Sequence, residues 1–450
     1  MRGGRLGAGG AWALVGVLFC LAAINLPELG SDPWPFRPGP IAAEGPLAAL
    51  VEAAGEEYDL GIPRAAAFLA ALLCGAVAAF LMFRRRGGMP RWVAIALVLV
   101  VGLLLTAPAT LLQVGLRDST APWFFTNDST YQVEVGGDLL LEGENPYGHD
   151  YSRSGLERFY TRDGSVSERV REREVALEHF AYFPGAVATA AAWRLLPEPW
   201  DDYRLLVLLC NLGMLAAALA FRAPLPLRLA LGAVLVCSPI AVRSAWFGQN
   251  DAPSLLLLVL AFALASRRRF ALAAISLALA ILLKQFAVVA LPFLAVMMWK
   301  AGAGRRRLWV AGLLFVVVLA AGIAPFVAMD AAAFYDDTIR YGAGTYRIVG
   351  YGLSAVLVEL GTVDDREGAY PFALIALLTW LPLTVLLLYA QARSPRLWLA
   401  AAGFAISILV LMFIGRTFNN YYLVWPMTGA VAAALLAVGS TRGRDRPQPR

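Results

Sequence analysis

The chain has 450 residues, 59% of them hydrophobic and only 16% charged, with a mean hydropathy of +0.64. Soluble domains carry roughly 45–50% apolar and about 25% charged residues, and here the apolar residues come in blocks, which excludes a soluble globular protein. The net charge of +6 resides in short basic loops between those blocks, a mark of membrane topology and not of nucleic-acid binding.

Taking about 20 apolar residues as one crossing, the sequence predicts an all-α polytopic membrane protein with about 12 transmembrane helices. The N-terminal stretch "MRGGRLGAGGAWALVGVLFCLAAINL" resembles a signal peptide but has no small-x-small cleavage site, so it is read as an uncleaved anchor near 11–26. Crossings near 65–83 and 92–113 complete an N-terminal unit, 1–113. A polar region, 114–203, follows as a large outer loop. Core crossings lie near 204–221, 227–245, 252–266, 270–283, 285–299 and 308–327, making a unit 204–327. A second outer loop, 328–370, precedes the C-terminal unit 371–440, with crossings near 371–390, 397–414 and 421–438 and a tail 441–450.

"RRRGGMPR" (84–91), "FRAPLPLR" (221–228), "SRRR" (266–269), "KAGAGRRR" (300–307), "ARSPR" (392–396) and the tail then share the N-terminal side. That side is the cytoplasm, in a multi-pass plasma-membrane protein with both termini inside. The segment 184–196, "PGAVATAAAWRLL", is read as re-entrant or a partial helix, because a full crossing would put "SRRR" outside. Cys20, Cys74, Cys210 and Cys237 all lie in apolar runs and read as small buried hydrophobes.

The outer face holds the chemistry-bearing residues. From Asp128 the chain reads as a short helix stopping at Gly143, with Asn127 or Asp128 as N-cap and Pro146 just beyond the stop. Val133, Gly137 and Leu140 share one face of it; Glu134, Asp138 and Glu142 share another, which suits a helix lying on the outer interface. Such a helix presents Asp128 at the mouth of a cavity, although an Asp at a helix start also serves as a cap. Gln249, Asn250 and Asp251 in "WFGQND" can cap the next helix or, beside Trp246 and Phe247, bind a sugar or a head group.

Lys284 is one of two lysines in the chain and stands in "LALAILLKQFAVVALPF". In such surroundings a lysine either snorkels or meets an anion such as a phosphate. Arg340, Arg347 and Arg416 occur on the side where topology disfavours them, among Tyr341, Tyr346, Tyr351, Tyr421 and Tyr422. Solvated arginines or a phosphate or glycan ligand both account for them. His149 and His179 have no paired ligand spacing, so no metal site is assigned, and neither a Gly-rich phosphate loop nor a dinucleotide fingerprint is present.

"DSTY…GGDLLLEGENPY", "FAYFPG", "GQND" and "LALAILLKQFAVVALPFL" together resemble the GT-C-fold glycosyltransferases, closest to the bacterial and actinobacterial mannosyltransferase branch. The resemblance covers roughly residues 120–300 and implies a helical bundle with a large first catalytic outer loop carrying interfacial helices. It implies transfer of a sugar from a polyprenyl-phosphate donor to a lipid or glycan acceptor, inverting, with no cofactor. Asp128 becomes the general base, and Lys284, Arg416, Arg340 and Arg347 the donor-phosphate residues. Tyr131, Tyr147, His179, Tyr182, Gln249, Asn250 and Asp251 become substrate-binding. The chain reads Tyr182-Phe-Pro-Gly and Lys284-Gln where the family often has Tyr-x-Pro-Pro and Lys-Pro, and mannose and arabinose both remain open. The rival reading from another class is a lipid-linked glycan transporter or flippase, which calls for broken helices in matched pairs.

Overall fold

A computed structural model describes residues 5–25, 41–54, 61–85, 88–121, 124–160, 175–345 and 347–441. Tyr346 and the basic tail from residue 442 lie outside them. Among the described residues the regular structure is helical, apart from a two-residue parallel pair, β1 (Val349–Gly350) with β2 (Thr417–Phe418), and an isolated bridge between Arg5 and Pro90.

In chain order the helices are α1 (Ala8–Ile24), α2 (Ala48–Ala53), α3 (Gly61–Arg85), α4 (Arg91–Asp118), α5 (Asp128–Leu141) and α6 (Pro184–Trp193). Then come α7 (Tyr203–Leu219), α8 (Leu225–Cys237), α9 (Pro239–Phe247), α10 (Ala252–Ser266), α11 (Phe270–Leu283) and α12 (Ala290–Lys300). The last are α13 (Arg305–Met329), α14 (Ala331–Tyr335), α15 (Leu353–Glu359), α16 (Phe372–Ala392), α17 (Trp398–Phe413) and α18 (Val424–Thr441).

Every apolar run predicted as a crossing is helical. Among the described residues five helices are long and apolar enough to span a bilayer, or six if α8 and α9 form one broken span bent by 43°. Ser238 sits at that break and its hydroxyl accepts the Ala241 amide to start α9. The remaining apolar helices are shorter, at 10–17 residues. α10 and α11 have 15 and 14 residues, about 21–22 Å at 1.5 Å per residue, against a hydrocarbon core of about 30 Å. Helices of that length end inside the bundle, and a polar connection at that depth is tolerated where it lines a protein cavity.

The bundle core is formed by α10 against α11 and α7, α11 against α13, and α17 against α18, with α1 and α4 packed on α8, and α3 on α4 and α1. α13 and α16 leave most of their apolar surface exposed, as lipid-facing helices do. At one end the basic loops meet: Arg5 donates to the Gly88 carbonyl, and Arg268 to that of Ala301. Residues of the two predicted outer loops gather at the other end.

α5 does not lie free on a surface. Its glycines face α6, where a Cβ on Gly136 would stand 2.8 Å from Phe180 and one on Gly137 2.8 Å from the Ala191 nitrogen. Two helices pack backbone to backbone there, and only glycine allows it. The predicted polar face is buried at one end only: Glu134 is 2% exposed, paired with Arg117 from α4 at 2.5 Å, and accepts the Tyr203 amide at 2.8 Å, while Asp138 is half-buried and Glu142 exposed. Asp202 bonds both Arg117 and the fully buried Arg204, and Arg194 pairs with Asp138 and Asp201. The cations that neutralise the α5 acids Glu134 and Asp138 come from other segments, 17 residues before and 56 after them, so the helix by itself reads as amphipathic. α6, with 10 residues, is too short to cross and packs beneath α5.

Candidate active site

The site begins at the start of α5. Asn127 is the N-cap, its side chain accepting the Thr130 amide at 3.0 Å. Asp128 is thereby released from capping and becomes the first helical residue, with its Oδ1 accepting the Ser129 amide at 2.8 Å. Asn127 Nδ2 and Thr130 Oγ1 donate to the carbonyls of Phe247 and Gly248, so the "GQND" turn is clamped to the start of α5. Gly248 has φ +65°, and a Cβ there would collide with the side chain of Arg204. Gly-to-Ala is therefore excluded twice, by conformation and by space.

Lys284 interrupts the helix. Its backbone is extended (φ −153°, ψ 118°) between α11 and a short 3₁₀ turn, Gln285–Val289. The ammonium does not snorkel: it donates to Asn250 Oδ1 at 2.6 Å, pairs with Asp251 Oδ1 at 3.4 Å and sits 5.0 Å from the centre of the Tyr182 ring. Asp251, 2% exposed, makes no side-chain cap to α10 and instead also accepts the Trp425 indole N–H at 3.1 Å. The choice between cap and site is settled against the cap for Asp251.

The other wall comes from the C-terminal third. β1 and β2 pair Val349 with Thr417 and Gly350 with Phe418, which brings the segments bearing Arg347 and Arg416 side by side. Arg416 is 8% exposed and donates to the Gly368 carbonyl at 3.2 Å. Tyr370 locks the same corner through its hydroxyl, 2.5 Å from the Ile414 carbonyl.

These pieces enclose a cavity of about 490 Å³. Asp128, Lys284, Arg347, Arg416 and Tyr182 all line it, with Tyr421 and Tyr422. Three cations and one acid thus face one space. Burial raises the Asp128 carboxyl above its ordinary range; the Ser129 amide, Arg347 and Lys284 pull it back only in part. Such a carboxyl holds its proton more readily than an exposed one, as a group that must take up a proton requires.

Other predicted site residues stand behind the wall. The Tyr131 hydroxyl donates to the Ser154 carbonyl at 2.6 Å, and the Tyr147 hydroxyl to that of Tyr182 at 2.9 Å. His179 stacks on Tyr341 at 4.5 Å and places Nδ1 2.7 Å from Asp337 Oδ1. None of the three lines the cavity, and neither do Gln249, Asn250 and Asp251. Arg340 is exposed and pairs with Asp336 at 3.5 Å, one turn away on its own helix, outside the cavity.

Sequence reasoning missed Gln132 and Asp337. Gln132 lines the cavity and donates to the His179 carbonyl at 2.7 Å. Its i+4 spacing from Asp128 is the signal that could have found it. Asp337, 2% exposed, also accepts the amides of Gly148 at 2.8 Å and Phe180 at 3.1 Å, fastening the second outer loop to the first. No local pattern announces that. Among the described residues no group of three His, Cys, Asp or Glu side chains is placed to hold a metal ion.

The family model of glycosyltransferase family 87 matches residues 180–415. That range takes in Tyr182, the "GQND" turn, Lys284 and Arg347, while Asp128 precedes it and Arg416 follows directly after it. No curated protein and no solved structure matches the chain. Since the family match extends over more than half of this apolar, helical chain, the protein belongs to glycosyltransferase family 87 and is a membrane glycosyltransferase.

Proposed function

We propose that this glycosyltransferase moves a sugar, with mannose the first candidate, from a polyprenyl-phosphate donor to an extracytoplasmic lipid or glycan acceptor, inverting the anomeric carbon. One observation carries the reading: a half-buried carboxyl, Asp128, shares a cavity with Lys284, Arg347 and Arg416. A neutral acceptor and an anionic leaving group need that combination.

In the step, the acceptor hydroxyl oxygen forms the new bond to the anomeric carbon while its proton passes to Asp128. The bond from that carbon to the phosphate oxygen breaks, and its electron pair leaves with the phosphate. One carboxylate acting as base on the incoming hydroxyl gives inversion, the logic of the inverting glycosidases. The leaving phosphate gains a negative charge as the bond breaks, and cations fixed beforehand around it stabilise that charge without reorganising. Burial that raises the Asp128 carboxyl favours its role as proton acceptor near neutral pH.

The plasma membrane, with the basic loops in the cytoplasm and the cavity on the outer side, is the location this reading requires. The separation of the basic loops from the cavity residues along the bundle supports it. Family membership favours transfer over the transporter reading. The test is transfer from labelled polyprenyl-phosphate mannose by the full chain in nanodiscs, wild type beside Asp128→Asn, with the product anomer assigned by NMR. Retained configuration, or equal rates in the two proteins, overturns the mechanism.

A further inference from the structure

Lys284 faces the cavity with its charge already answered. Its ammonium donates to Asn250 Oδ1 at 2.6 Å and forms an ion pair with Asp251 Oδ1 at 3.4 Å. Asp251 and Asn250 are 2% and 4% exposed and lie outside the cavity wall, behind the lysine. Asn250 Nδ2 has no partner, so this amide is spent on the lysine through its oxygen alone. A carboxylate within ion-pair distance of a cavity-facing ammonium opposes any anion that enters the cavity.

We infer that Asp251 is a positioning residue, the resident counter-ion of Lys284, which limits the affinity of the cavity for a phosphate group and thereby lets the phosphate product leave. This rests on the phosphate-binding reading above. It removes Asp251 from the substrate-contacting set and gives it a role opposite in sign to that of the cations. A site that held its product with three unopposed cations would bind ground state and product as tightly as the transition state, which does not raise turnover.

Asp251→Asn isolates the charge. The amide oxygen remains an acceptor for both Lys284 and the Trp425 indole, so the geometry is kept while the negative charge is lost. The measurement is equilibrium binding of farnesyl phosphate, and separately of inorganic phosphate, to the full chain in nanodiscs, with melting temperature as the folding control. Asp251→Asn should bind farnesyl phosphate about tenfold tighter than wild type and Lys284→Met about tenfold weaker, the size expected when one close charge is removed. Asn250→Asp adds a second carboxylate and should weaken binding several-fold. In turnover, Asp251→Asn should lower kcat and donor KM together, whereas a purely structural defect lowers kcat without tightening the phosphate.

The same ordering with inorganic phosphate assigns the effect to the phosphate group; the ordering with farnesyl phosphate alone assigns it to a lipid-borne phosphate. Either supports the inference. Unchanged or weaker binding by a folded Asp251→Asn overturns it. Should that variant not fold, unchanged binding by Asn250→Asp overturns it instead. If the wild type takes neither ligand, the inference falls together with the phosphate reading; if wild type and Lys284→Met behave as expected and Asp251→Asn does not tighten, it falls alone.

Discussion

Two polar clusters meet at α5, and they differ in one respect. Behind the helix, Arg117, Arg194 and Arg204 are matched against Glu134, Asp138, Asp201 and Asp202 by close bonds, beside a cavity of about 240 Å³ that Asp118 and Glu198 also line. In front of it, Asp128, Lys284, Arg347 and Arg416 are spread around an open volume of about 490 Å³. The first cluster is complete and does the work of a joint, fixing α4, α5 and the start of α7. The second sets three cations against one carboxyl around its cavity, the arrangement that the proposed phosphate would use. Both clusters border a void, so what separates them is sign: acids outnumber cations around the first and cations outnumber the acid around the second.

Proton affinities separate the clusters further. Burial would raise Asp202, yet Arg204 and Arg117 outweigh it and hold the carboxyl well below the usual range. Asp202 therefore contributes stability above the ordinary carboxylate range, and that stability is lost as pH falls through its lowered value. Asp128 is shifted the other way. The folded chain binds its proton more tightly than the unfolded chain, so the ionised carboxyl costs stability at neutral pH and the cost disappears on acidification.

The largest expected effect comes from the open cluster. Asp128→Asn should lower transfer by about 10²–10⁴-fold, as loss of a general base does, and should melt at or above the wild-type temperature. A lowered melting temperature would place Asp128 in the joint instead. Next, Asp202→Ala leaves Arg204 and Arg117 without their acid, and should cost about 3–5 kcal/mol, read as poor recovery and early melting in nanodiscs. Lys284→Met should reduce kcat/KM by about 10²-fold with folding retained, comparable to loss of one charge-stabilising donor. The pH–rate profile should show an acidic limb above the ordinary carboxylate range, absent from the residual activity of Asp128→Asn. Smallest of all, Arg340→Gln should change transfer by less than about twofold, because that exposed pair stands off the cavity.

Much of the open cluster was legible in the sequence, and little of the closed one. Lys284 stands out because a lone charge in an apolar run demands a reason, and Arg347 and Arg416 because the topology expected from the basic loops disfavours positive charge where they fall. Glu134 reads as part of a polar interfacial face because its partners, Arg117 and the Tyr203 amide, lie 17 residues before it and 69 after it. The same distance hides Asp337, which bonds His179 from 158 residues away. Tyr131, Tyr147 and His179 are expected from the resemblance to bind substrate, yet none of them lines the cavity, and their polar atoms bond Ser154, Tyr182 and Asp337. The helices were legible throughout because apolar blocks state their own extent; the depth at which α10 and α11 stop was not, since it follows from the cavity that other segments complete.

The short parallel pair between β1 and β2 has a consequence for anyone who would redesign this protein. Gly350 lies with φ +87° against the Phe418 carbonyl, the Tyr351 amide donates to that same carbonyl at 2.8 Å, and the Val349 amide donates to the Arg416 carbonyl at 2.9 Å. The stretch carrying Arg347 and the stretch carrying Arg416 are thus one interchangeable part, although they are far apart in the chain. Loop grafts meant to transplant donor preference between relatives must move both stretches as a unit, because a chimera that takes one without the other inherits half of a hinge plate with nothing to screw it to.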